Sequence, residues 1–304
     1  MPTARKKAPL ITPNMSATPD QVSDTLGVAE AGQCCSPAEV EAGCAPAEAT
    51  CVTVDGKCVP LDAFHKEEPE ASLARQVFAE ALGTMFLVAT IVGSGYHGDI
   101  LSPDDGVALL GNTLATWGIL YVLITVLGGI SGAHFNPVVS CCFWLKRELP
   151  SLKFALFVPF QVGGAILGSH VAHAMFQHKM SYFDGKDRDS WGEFFSEAVT
   201  TLGLLLTIFG GIKAKGDIGM LVGLFITAGY WFSSSTSFAN PAVTIGRSFT
   251  GTFASISVKS WPAFLGGQAV GMVVALPMCE WLISGKSAKD AALVLVRAQP
   301  TKSD

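Results

Sequence analysis

From Ser72 onward the chain is built of apolar runs about twenty residues long, the length at which a helix crosses the hydrocarbon core of a bilayer. No other feature narrows the fold as much. Only 15% of the 304 residues are charged and 49% are hydrophobic, against about 25% charged in a soluble domain. The pattern predicts an all-α polytopic membrane protein with spans near 73–95, 107–128, 154–176, 194–213, 217–234 and 262–284. Net charge is −5, but residues 1–70 carry five Lys/Arg against eleven Asp/Glu, so the membrane part is close to neutral. No basic patch points to a nucleic-acid partner, and nothing calls for a cofactor.

Residues 1–70 are rich in Ala, Pro, Glu, Thr and Ser and poor in aromatics, which predicts a disordered tail. They show no apolar stretch of the kind that marks a secretory signal. Residues 71–285 then form the membrane domain, and 286–304 a short C-terminal tail. Lys146, Arg147, Lys153, Lys213 and Lys215 fall in two connections, while the first connection has Asp99, Asp104 and Asp105 and no Lys or Arg. Positive charge concentrates on cytoplasmic loops, so both termini are expected in the cytoplasm of a protein of the inner (plasma) membrane.

Two segments interrupt the apolar pattern: SGAHFNPVVS (Ser131–Ser140) and STSFANPAVT (Ser235–Thr244). Asn is a favoured N-cap, and Pro at the first helical position lacks only an N–H that would be orphaned there anyway. Each Asn-Pro therefore opens a helix, and the runs that follow, Pro137–Leu145 and Pro241–Phe249, are too short to cross. Nine residues rise about 14 Å, half of the roughly 30 Å hydrocarbon thickness.

The halves repeat. Ala79–Gly95 resembles Ser196–Ile212, with Glu80 and Glu197 early in each; the third spans carry Gln161 and Gln268. Three spans per half force opposite orientations, an inverted repeat of the kind common among transport proteins. The two half-helices then enter from opposite faces and meet at mid-membrane, where irregular backbone is tolerated only if buried or lining a cavity. The predicted pore centre is Asn136, Pro137, Val138, Asn240, Pro241 and Ala242, with Gly132–Phe135 and Thr236–Ala239 lining the path and each Asn NH2 turned toward the permeant. Two helix N-termini there favour a neutral hydrogen-bonding solute and repel cations. Small-residue pairs Gly128–Gly132, Gly164–Gly168, Gly219–Gly223 and Gly267–Gly271 fit close helix packing.

On SGAHFNPVV, SFANPAV and AEALGTMFLV the chain resembles the major intrinsic protein family, the aquaporins and aquaglyceroporins, over about residues 72–285. The resemblance implies six helices and two half-helices, one pore per protomer, and a homotetramer. That family usually narrows its outer pore with an Arg three residues after the second signature Asn, an aromatic, and often a His. Here Val243 stands at the Arg position and Ala228, twelve residues before Asn240, at the His position; Ser237 stands three before Asn240, and the second-span position is Thr116, or Trp117 one residue along. Such a filter is wide, weakly polar and lacks an Arg. Arg247, one helical turn past Val243, has two readings: a replacement charge, or a structural Arg bonded to loop carbonyls. Val243 and NPAVTIGR resemble a bacterial branch associated with arsenic detoxification, which implies neutral arsenous acid, methylated arsenicals or glycerol as solutes.

Other residues carry weaker signals. Cys34, Cys35, Cys44, Cys51 and Cys58 in the tail match no zinc spacing but are candidates to bind a soft ion. Cys141, Cys142 and Cys279 read as small apolar residues. Glu80 and Glu197 are either proton carriers of a coupled transporter or acceptors for the irregular backbone; their symmetric placement favours the second. His134 beside the first signature is either a pH gate or a hydrogen-bonded structural group. No Ser/His/Asp group or metal-spaced cluster in the spans supports an enzyme.

Overall fold

The structure is a computed structural model; it describes residues 51–54, 57–60, 70–179 and 183–295. The chain divides into two compact units, Met1–Pro69 and Glu70–Asp304. In the first, β1 (Cys51–Val54) and β2 (Lys57–Pro60) pair antiparallel, Cys51 opposite Pro60 and Thr53 opposite Cys58. Up to Pro69, the remainder of the segment expected to be a disordered tail lies outside the described residues. The signal for the hairpin lay in the sequence: Asp55-Gly56 between two β-rich runs is a strong hairpin signature. Cys34, Cys35 and Cys44 lie outside the described residues.

In the membrane unit α1 is Leu73–Leu101, α2 Asp105–Ser131, α3 Pro137–Leu145, α4 Ser151–Met175, α5 Trp191–Lys213, α6 Ile218–Phe232, α7 Pro241–Gly246, α8 Trp261–Leu282 and α9 Ala288–Ala292. Among the described residues five of these are long and apolar enough to cross a membrane. The expected fifth span, α6, is only 15 residues long. That is about 22 Å, short of the roughly 30 Å core. It stops at Ser233, whose hydroxyl donates to the Gly229 carbonyl at 2.6 Å, and the chain then turns, Thr236 N donating to the Ser233 carbonyl at 3.3 Å, on its way to α7.

The two halves are built alike. α1 packs along α4, and α5 along α8. A Cβ on Gly164 would lie 2.2 Å from the Ala81 carbonyl oxygen, and one on Gly271 2.4 Å from that of Ala198. Only glycine lets these backbones meet. Gly128, by contrast, has nothing within 4 Å of such a Cβ, so the first small-residue pair is not a packing seam. The Trp117 ring packs against Gly223 between α2 and α6.

α3 and α7 start as the residue types dictate. Asn136 Oδ1 accepts from Val138 N at 2.9 Å, and Asn240 Oδ1 from Ala242 N at 2.9 Å, with Pro at the first helical position of each. α7 continues as a 3-10 turn, Arg247–Phe249. The segment after α8 does not hang free: Lys286 pairs with Glu280, and Ala291 and Val294 are buried.

Candidate pore and its distal mouth

The first and second half-helix approaches are held by one device, used twice. Glu80, fully buried, accepts from Ser131 Oγ (2.6 Å), His134 N (3.0 Å), Phe135 N (2.7 Å) and Gln161 Nε2 (2.7 Å). Glu197, also fully buried, accepts from Ser235 Oγ (2.6 Å), Phe238 N (2.9 Å), Ala239 N (2.8 Å) and Gln268 Nε2 (2.7 Å). These anchors hold backbone that a free chain avoids. Ala133, Phe135, Thr236, Ser237 and Ala239 all have φ between 45° and 61°, in the left-handed region, at of order 1 kcal/mol or more each. Charge-assisted hydrogen bonds to a buried carboxylate are strong enough to hold them.

The two signature asparagines meet across the repeat. Asn136 Nδ2 donates to the Ala239 carbonyl at 2.7 Å, and Asn240 Nδ2 to the Phe135 carbonyl at 2.9 Å. The expectation that each NH2 simply faces the permeant is thus refined: one N–H ties the two halves together. A primary amide has a second N–H, and both asparagines border a common cavity.

That cavity has a volume of about 610 Å³. It runs from Asp217 and Gly219, at the face where α1 begins and α8 ends, to Tyr230 and Arg247 near the opposite, distal face. Its walls are mostly apolar, with Leu87, Ile91, Leu120, Ile208, Val222 and Ile226 among them. Glu80 and Glu197 do not line it; they serve the backbone instead. His134 does line it, but its ring stacks on Phe143 (centroids 4.7 Å apart) and its Nδ1 lies 3.1 Å from Ser140 Oγ. Cys142 and Cys279 are buried apolar neighbours of the bundle, and Cys141 is half-buried.

The residues expected to narrow the distal end divide. Thr116, Ser237 and Val243 border the cavity, and Trp117 is not among its lining. Ala228 is exposed on the outer side of α6, and the cavity-facing positions of that helix are Ile226 and Tyr230. Tyr230 Oη lies 3.1 Å from Thr116 Oγ1, joining α6 to α2. Ser237 Oγ is buried with no hydrogen-bond partner among the described residues.

Arg247 changes the picture most. Arg247 borders the main cavity and a second, smaller one of about 270 Å³ on the distal side. Its Nε donates to the Ala254 carbonyl at 2.5 Å, and its guanidinium carbon stands 3.6 Å from the centre of the Phe238 ring. Arg188, from the α4–α5 connection, lies 5.7 Å from the same ring centre and also borders the smaller cavity. Burial holds the Arg188 guanidinium below its ordinary range, with Glu193 opposing; a guanidinium remains charged at neutral pH regardless. No spacing rule would have found Arg188, which lies far from either signature.

Comparison with known proteins places this geometry. The model of the family described as "MIP: Major intrinsic protein" matches residues 67–232. The aquaglyceroporin AqpS of Rhizobium meliloti (strain 1021) is 47% identical over 215 residues, covering 70% of this chain and 92% of that protein. Nodulin-26 of Glycine max is 30% identical over 210 residues, covering 66% of this chain and 71% of that protein. The X-ray structure of the aquaglyceroporin from Plasmodium falciparum superposes with a TM-score of 0.55 at 22% identity, covering 74% of this chain and all of that one, a likeness of fold. Buried-carboxylate anchors, crossed asparagines and a through-running cavity, with a family match over more than half the chain, make this a membrane channel and not an enzyme: the chain belongs to the major intrinsic protein family.

Proposed function

We propose that this channel passes small neutral polyol-sized solutes down their gradient: glycerol, arsenous acid and methylated arsenicals, with water beside them. The observation that carries the reading is Val243 on the wall of the main cavity where the family usually has an Arg. Val brings neither charge nor donors, so the wall there favours bulk over strict water selection. The second amide N–H of Asn136 and Asn240, Ser237 Oγ and the Thr116–Tyr230 hydroxyl pair supply hydrogen bonds to a polyol along an otherwise apolar path. The name of the Rhizobium relative, an aquaglyceroporin, supports the polyol part of this reading.

The site lies in the inner (plasma) membrane with both termini cytoplasmic, so the distal mouth opens outward, and the protein works as a homotetramer. The channel domain is residues 71–285. A proton-coupled transporter is the rival reading, and the placement of Glu80 and Glu197, fully buried and spent on backbone N–H groups, speaks against it. Stopped-flow swelling of proteoliposomes in water, glycerol, urea and arsenous acid tests the proposal. Glycerol and arsenous acid are expected to enter at rates well above protein-free vesicles and independently of a pH gradient. No entry above protein-free vesicles would overturn the solute assignment, and uphill accumulation driven by the gradient would overturn the passive mechanism.

A further inference from the structure

The smaller distal cavity, about 270 Å³, is bordered by Lys186, Arg188 and Arg247, with Asp105 as the acidic residue among its lining. Arg247 is 3% exposed, and of its five N–H donors only Nε is hydrogen-bonded among the described residues. Arg188 reaches the Ser235 carbonyl and Thr236 Oγ1 through a single nitrogen, Nη1, at 3.3 and 3.4 Å. Lys186 lays its ammonium over the Phe253 ring, 4.7 Å from its centre. Among the described residues no ion pair within 4.0 Å joins any of the three to a carboxylate. Of the other acids nearby, Asp187 accepts from Ser257 Oγ at 2.6 Å and Glu193 closes the cap of α5 on Ser190, which leaves Asp105, more than 4.0 Å from each of the three cations, as the acid on the cavity wall.

Arg247 is a buried charge with no carboxylate within 4.0 Å among the described residues, while Arg188 is half-buried and Lys186 exposed; a buried charge is costly unless a partner with matching hydrogen bonds relieves it. The guanidinium fork matches a two-oxygen anion. We infer that the distal vestibule is a binding site for a small oxyanion of the carboxylate or sulfonate type, held between Arg188 and Arg247 with Lys186 beside it. The apolar walls beyond Arg247 and the two half-helix N-termini behind them place this site at the entrance to the main cavity, in the path of neutral solutes.

The test uses the full chain purified in detergent and reads thermal stability, so it does not depend on which solute the pore passes. Methanesulfonate is the probe, dimethyl sulfone its uncharged counterpart, and chloride at equal ionic strength the control for screening. A ligand that binds only the folded state raises the midpoint, and a rise of about 2–4 °C is expected with methanesulfonate alone. Arg188→Gln and Arg247→Gln are expected to weaken the apparent affinity at least tenfold, about 1.4 kcal/mol. Arg188→Lys, which keeps charge and loses the fork, is expected to fall between, and Lys153→Gln on the other face to respond as the unaltered chain does. Should Arg247→Gln fail to fold, Arg188→Gln decides alone. No midpoint rise, an equal rise with chloride or dimethyl sulfone, or an undiminished rise in Arg188→Gln would each overturn the site.

Discussion

Arg247 stands over Phe238, its guanidinium carbon 3.6 Å from the ring centre, one helical turn beyond the Val243 that takes the family's usual arginine position. The positive charge of the distal end is therefore present but displaced toward the mouth. The main cavity has Val243 on its wall, and Arg247 borders both that cavity and the smaller distal one.

Adding a second guanidinium at the inner position separates size from charge. Val243→Arg is expected to lower glycerol and arsenous acid entry by tenfold or more, about 1.4 kcal/mol of added barrier, while water entry persists. Stopped-flow light scattering on the same vesicles measures both. Unchanged glycerol entry would show that Val243 does not form the narrow point.

The helix crossings offer a test read by stability alone. Gly164→Ala places a methyl group 2.2 Å from the Ala81 carbonyl oxygen, and Gly271→Ala one 2.4 Å from that of Ala198. Overpacking of this kind costs about 1–3 kcal/mol. Both variants are expected to unfold at lower temperature in detergent, and Gly128→Ala, with open space around it, is expected to match the parent.

The buried carboxylates are interchangeable by symmetry. Glu80→Gln and Glu197→Gln each turn charge-assisted bonds into neutral ones and place an NH2 group among existing donors. Losses of about 1.5–3 kcal/mol per site follow from the worth of bonds to charged groups. Equal destabilisation of the two variants is expected by denaturation in detergent. A variant that folds normally yet loses only pH-gradient-driven uptake would instead restore the proton-carrier role.

Removal of residues 1–69 tests the division of the chain. The membrane unit begins at Glu70, so the shortened protein is expected to insert and to pass glycerol at the parent rate. Complete loss of flux in correctly inserted protein would make the first unit part of the channel.

Much of the centre was legible along the chain. An Asn followed by Pro has a single good local use in apolar surroundings, and its repetition with matching Glu80/Glu197 and Gln161/Gln268 located the meeting of two half-helices without any distance being known. These are short-range properties: capping, a fixed φ, and a buried acid that must find donors. The distal mouth was not legible in the same way. Its members come from α2, the α4–α5 connection, α6 and the end of α7, and which side chain turns inward depends on where α6 stops and how Ser233–Ala239 bends. Counting from Asn240 therefore chose Ala228 where packing chose Tyr230, and it missed Arg188 altogether. Sequence alone determined that two half-helices meet at paired asparagines, because local chemistry leaves those residues no alternative; tertiary structure alone decided what guards the entrance, because that depends on the relative rotation of helices distant in the chain.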